Sequence, residues 1–265
     1  MTIPAPKFDD DKIEVRHDVP IWMHPDSLMN HIDTLNKDDT VGILALSAAR
    51  EALRICYEAY GRINDAEAAL KNGRPSKVRG GDKLSDANSP HLVNLTPTAE
   101  HEAFVYAAER ALTRIAPQVD RRVRELTGIQ ETLNKRVLAA MDEPNRMTPE
   151  GLVLAQEVRS HVKALPRKAR NAFVVKAVAL NDKATVAALL HAQPFLSGLD
   201  GAALGRLRQH AAVKFAPVDS AQLGATTAAL EHVRNAVSLL FGRYDAVLAN
   251  KRSELALCHQ LPKNT

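Results

Sequence analysis

Two apolar stripes constrain this chain more than any other feature of its 265 residues. The first steps through Phe104, Ala108, Ala111, Ile115, Val119, Val123, Leu126, Ile129, Leu133, Val137 and Met141 at intervals of three and four. The second steps through Leu223, Thr226, Leu230, Val233, Val237, Leu240, Tyr244 and Val247 at intervals of three and four. A stripe of that period lies along one side of a helix, and one running past three heptads calls for another long helix as its partner. The expectation is a long antiparallel hairpin of residues 96–147 and 219–258. Thr96 and Pro97 supply a cap and a first-turn proline for the earlier helix, and Glu143 and Pro144 end it. Unbroken from Pro97 to Asp142 it would span about 70 Å, with Pro117 expected to kink it and Gly128 to weaken it.

The rest of the chain also reads as helix or as connection. Residues 148–218 predict a small module of four short helices, opened by Thr148 with Pro149, by Pro166, and by the caps Asp182 and Asp200. Leu199 is placed to staple onto Leu204 at the last of these starts. Residues 26–72 predict two helices. One is short, over 26–35. The other is capped by Thr40 and carries Leu44, Ala48, Ala52, Ile55, Ala59 and Ile63 on its inner face, with Gly61 as a point of bending. Residues 73–95 are a basic loop rich in Gly and Ser, and 259–265 a short tail. Residues 1–25 hold four prolines and predict an extended arm in which Ile13, Val15, Val19, Ile21 and Trp22 alternate as a strand would. The fold class is all-α, in keeping with 45% apolar but only 4% aromatic residues.

Catalytic chemistry finds no foothold in these patterns. No serine sits in a Gly-x-Ser-x-Gly elbow, and Arg79, Gly80 and Gly81 lack the Gly-Lys-Ser/Thr ending of a phosphate loop. His101 and Glu102 begin a zinc-helix pattern, but Val105 stands where its second histidine belongs. His17, His24 and His31 recur every seven residues but are separated by Pro20 and Pro25. Cys56 and Cys258 lie far apart in sequence and read as reduced structural thiols in a cytoplasmic setting. The expectation is no enzyme, no metal and no cofactor. No apolar run is long enough to span a membrane.

Charge is where function is legible. Residues 1–40 carry four basic and nine acidic side chains, whereas 148–218 carry ten basic and four acidic. Arg159, Lys163, Arg167, Lys168, Arg170 and Lys176, with Arg74, Lys77 and Arg79 of the loop, are the candidate contacts to nucleic acid or to an acidic partner. Ile13, Val15, Val19, Ile21 and Trp22 are the candidate protein-binding residues of the arm. Arm residues packed on their own subunit and arm residues bridging subunits are equally compatible with the sequence.

The runs Met147–Pro166 (MTPEGLVLAQEVRSHVKALP) and Ala184–Asp200 (ATVAALLHAQPFLSGLD) resemble segments of uncharacterised helical proteins from phage and prophage structural regions. That resemblance covers about a quarter of the chain and brings no site residues with it. It implies a virion or assembly component, cytoplasmic during assembly, whose partners are its own copies and other virion proteins. The expected function is therefore a non-enzymatic structural protein acting as a homo-oligomer. The alternative is a nucleic-acid-binding protein that uses residues 148–218.

Overall fold

The computed structural model describes residues 13–28, 34–35, 40–71, 97–145 and 147–260. Among these the chain is helical and forms no strand. The elements are α1 (Thr40–Lys71), α2 (Pro97–Met141), α3 (Pro149–Ala164), α4 (Arg167–Ala179), α5 (Lys183–Leu190), α6 (Pro194–Ser197), α7 (Gly201–Phe215) and α8 (Pro217–Gln260). Ahead of them two short 3-10 helices span Ile21–Met23 and Pro25–Leu28. The chain divides into two compact units. The first holds residues up to Asn30, Ala49–Val123 and the chain from His232, and the second holds His31–Ala48 and Arg124–Glu231. None of the described helices is long and apolar enough to cross a membrane.

In the first unit, α1 buries Ala49, Ala52, Leu53, Cys56, Tyr57, Ala59 and Ile63, and α8 buries Val233, Ala236, Leu240, Tyr244 and Val247. These positions recur every three or four residues, so each helix turns one face inward. Arg243 of α8 binds Asn64 Oδ1 at 3.1 Å and forms an ion pair with Glu67, both on α1.

In the second unit, α2 and α8 run antiparallel. Gln130 donates to Thr227 Oγ1 at 2.9 Å, and six residues later Arg136 meets Asp219, eight residues earlier on the other helix. Val137 and Met141 continue this side of α2 into a core shared with Val162 of α3, Val174 and Val178 of α4, Val186 and Leu189 of α5, and Leu207 and Ala211 of α7. The module's helix starts follow from local chemistry. Thr148 accepts from the Gly151 amide, Asp182 from Thr185 and Asp200 from Ala203, each satisfying an otherwise orphaned first-turn donor. Leu199 is buried with Leu204 packed on the same core.

Several expectations need correction. The module holds five helices rather than four, because Pro194 opens an extra turn, α6, closed by Gly198 in the left-handed region at φ 66°. The last helix starts at Pro217, two residues earlier than expected, since proline suits a first turn that needs no amide donor. The arm is not extended throughout: Pro20 and Pro25 lead into the two 3-10 turns. Leu44 is half exposed, not inward-facing, because Gly42, Ala45 and Leu46 define the buried arc at that end of α1. The earlier long helix, by contrast, runs unbroken over Pro97–Met141 as expected, with Pro117 inside it. The 73–95 loop, Thr96, Ile32 and the side chain of Cys258 lie outside the described residues.

Candidate functional site

The arm is fastened to its own unit by polar contacts that the apolar alternation does not announce. Tyr57 Oη accepts from the Arg16 amide at 2.6 Å. The Arg16 guanidinium grips Asp18 and Asp65 and lies over Gly61, where a Cβ would meet Arg16 Nε at 2.8 Å. Gly61 is thus a seat for Arg16, and this close approach favours a residue without a side chain. The two carboxylates raise the Arg16 pKa, and Arg16 in turn lowers that of Asp18, with Asn64 adding a second hydrogen bond.

Two histidines complete the fastening. His24, buried edge-on against Tyr57, donates from Nε2 to the Ile13 carbonyl at 3.2 Å and accepts the Asp26 amide at Nδ1. A neutral ring protonated at Nε2 satisfies both bonds at once. His232 of α8 donates to the Trp22 carbonyl at 2.6 Å, lies 3.0 Å from Ser27 Oγ and meets the Trp22 ring edge-on. Sequence reading missed His232 because its partners lie about 200 residues away. Histidine beside a lone tryptophan has no periodic signature.

Of the arm candidates, only Val19 is buried. The residues that join it in the core are Met23, Pro25 and Leu28. Val15 is 55%, Ile21 61% and Trp22 36% exposed, and Ile13 is intermediate. The arm therefore has an inward apolar set that holds it and an outward apolar set that it presents.

The basic candidates of the second unit fall into two groups. Arg159 and Arg170 are spent on the module's own backbone. Arg159 Nε donates to the Ala188 carbonyl at 2.9 Å, and Arg170 reaches the carbonyls of Val162, Lys163, Leu165 and Gly198. Lys163, Lys168 and Lys176 are exposed, and Arg167 is exposed beside Asp200 at 3.3 Å. Arg74, Lys77 and Arg79 lie outside the described residues.

A cleft of about 450 Å³ opens between the start of α3 and α5, lined by Leu154, Ala155, Ala187 and Ala188 together with Glu143, Thr148 and Glu150. Among the described residues its lining carries no histidine, cysteine or cation to work with the two carboxylates. Cys56 is fully buried, and burial pushes its thiol up to about 12, which holds it in the unreactive protonated form. No group of histidine, cysteine and carboxylate side chains among the described residues is arranged to hold a metal ion. No protein-family model, curated protein or solved structure matches this chain.

Proposed function

We propose that this chain is a non-enzymatic helical assembly protein that associates with copies of itself through the outward face of its arm, in a phage-like particle. The observation that carries this reading is the way Ile21 and Trp22 are held. Ile21 and Trp22 stand exposed on a turn whose carbonyl and ring are both gripped by His232, while Val19, Met23 and Leu28 anchor the same segment from inside. An apolar pair already ordered in the free subunit loses little further entropy on docking, and tryptophan is among the residues enriched at interface hot spots. The particle setting is what the resemblance of 147–166 and 184–200 implies.

Deleting residues 1–25 would be a poor test, because it removes buried Val19 and Met23 along with the exposed pair. The test is light scattering across a chromatographic peak for the native chain and for Ile21→Ser with Trp22→Ser. A discrete oligomer that dissociates in the double variant without loss of melting temperature is expected. A monomeric native chain would end the self-assembly reading. Trp22, the sole tryptophan, also reports directly. Acrylamide quenching should rise in His232→Ala as the turn loosens.

A further inference from the structure

We propose that α4 and α7 together present a surface for a nucleic-acid backbone, contacted through charge and not through base sequence. This surface lies in the second unit and does not rest on the assembly reading of the arm. Residues 159–214 contain ten lysines and arginines and only two carboxylates, Asp182 and Asp200. Both carboxylates are helix caps, accepting from the Thr185 and Ala203 amides at 3.0 and 2.7 Å. Their charge is therefore partly committed to helix starts instead of being spread among the cations.

Packing then sorts the ten cations. Arg159 and Arg170 are bound to carbonyls, and Lys183 lies over the Phe215 ring. Lys163, Lys168, Lys176, Arg206, Arg208 and Lys214 remain exposed, and among the described residues Arg167 with Asp200 is the one ion pair of a lysine or arginine in this stretch. The helices α4 and α7 pack on one another through a common core of Val174, Val178, Leu207 and Ala211, which brings their outer cations onto neighbouring helices. On α7, Arg206, His210 and Lys214 recur every four residues and line one flank at steps of about 6 Å.

A duplex presents one negative charge per about 1.7 Å of axis, so such a row meets several phosphates at once. An acidic protein surface interleaves its carboxylates with cations, which matches an uncompensated basic stretch less well than a uniformly charged backbone does. Two of the arginines suggested by sequence drop out of the contact set, and the α7 row enters it.

The test uses the full chain and a labelled mixed-sequence duplex of about 25 bp, with fluorescence anisotropy between about 50 and 200 mM salt. With about five phosphates neutralised, affinity should fall a few hundred-fold over that range. The variant Lys168→Gln, Lys176→Gln, Arg206→Gln, Lys214→Gln should bind at least 10-fold more weakly at the lower salt. Its log–log salt slope should be shallower by about three to four, with melting unchanged. The charge-retaining set K168R, K176R, R206K, K214R should bind like the native chain, which separates loss of charge from loss of fold. Absence of binding at the lower salt, a salt-independent affinity, or an unchanged slope in the Gln variant would overturn the proposal. So would competition by polyglutamate as effective as by unlabelled duplex, which would assign the surface to an acidic protein.

Discussion

Arg170 donates from Nη1 to the carbonyl of Gly198, and the same guanidinium reaches the Val162, Lys163 and Leu165 carbonyls at the end of α3. One side chain thus closes two helix ends, α3 and α6, whose last carbonyls have no partner within their own helices. Gly198 is fitted to this in two ways. Its φ of 66° suits a residue without Cβ, and a Cβ there would stand 2.9 Å from Arg170 Nη1.

Arg170→Lys should therefore be costly despite keeping the charge, since an ammonium offers no fork that can span four carbonyls. A loss of about 2–4 kcal/mol is expected, with Gly198→Ala costing about 1–2 kcal/mol or more from its backbone region alone. Urea unfolding of the two variants checks both numbers. Midpoints equal to the native one would mean that Arg170 faces solvent.

The inward stripe of α8 makes a second prediction. Val233 and Leu240 are both fully buried in the first unit. Aspartate at either position places a carboxylate in an apolar site without a partner, at a cost of several kcal/mol. Val233→Asp and Leu240→Asp should each lower the melting temperature far more than Glu231→Ala, at an exposed position of the same helix. Equal melting in all three would remove the stripe's role in packing.

How much of this was legible depends on how local each cause is. Thr148, Asp182 and Asp200 announce helix starts because a cap and the amide it satisfies lie three residues apart. The stripes of α2 and α8 are legible for the same reason, with Leu126, Leu133, Leu230 and Leu240 all buried. Leu44 misled because its spacing to Ala48 fits a helix face while the true arc runs through Ala45 and Leu46. The division of the basic candidates was not legible at all. Arg167 and Arg170 are three residues apart on one helix, yet one reaches solvent and the other is drawn to carbonyls of α3 and α6, an outcome decided by tertiary packing. The arm showed the same limit, because Val19 and Ile21 have like side chains and opposite exposures.

Alkaline pH should destabilise the first unit through two buried acids. Burial raises the Cys56 thiol from an ordinary 9.0 to about 12, and the Tyr244 hydroxyl from 10.0 to about 12. Between those values the unfolded chain has released protons that the folded chain still holds. Their contribution to stability is whole below about pH 9 and is lost as pH rises towards 12. Urea midpoints measured from pH 8 to 11 should fall, and Cys56→Ala should show a shallower fall than the native chain. Parallel curves for the two proteins would show that Cys56 titrates normally and is not buried.

Thr226 occupies an inward position on α8 in the second unit, fully buried, and its Oγ1 has no hydrogen-bond partner among the described residues. One helical turn earlier, Gln222 is equally buried with both side-chain polar atoms unpartnered. A hydroxyl in an apolar site without a partner costs about 1–3 kcal/mol relative to water, whereas the methyl that replaces it in valine belongs there. The shapes of threonine and valine are nearly the same, so packing is conserved and the change tests polarity alone. Valine loses some side-chain freedom in a helix, but threonine carries the same branching and pays a similar cost. Thr226→Val should therefore raise stability by about 1 kcal/mol, with the gain read as a higher urea midpoint at unchanged slope. A drop of similar size would mean that the hydroxyl is hydrogen-bonded in solution, and that this stretch of α8 is held by a polar contact as well as by its apolar stripe.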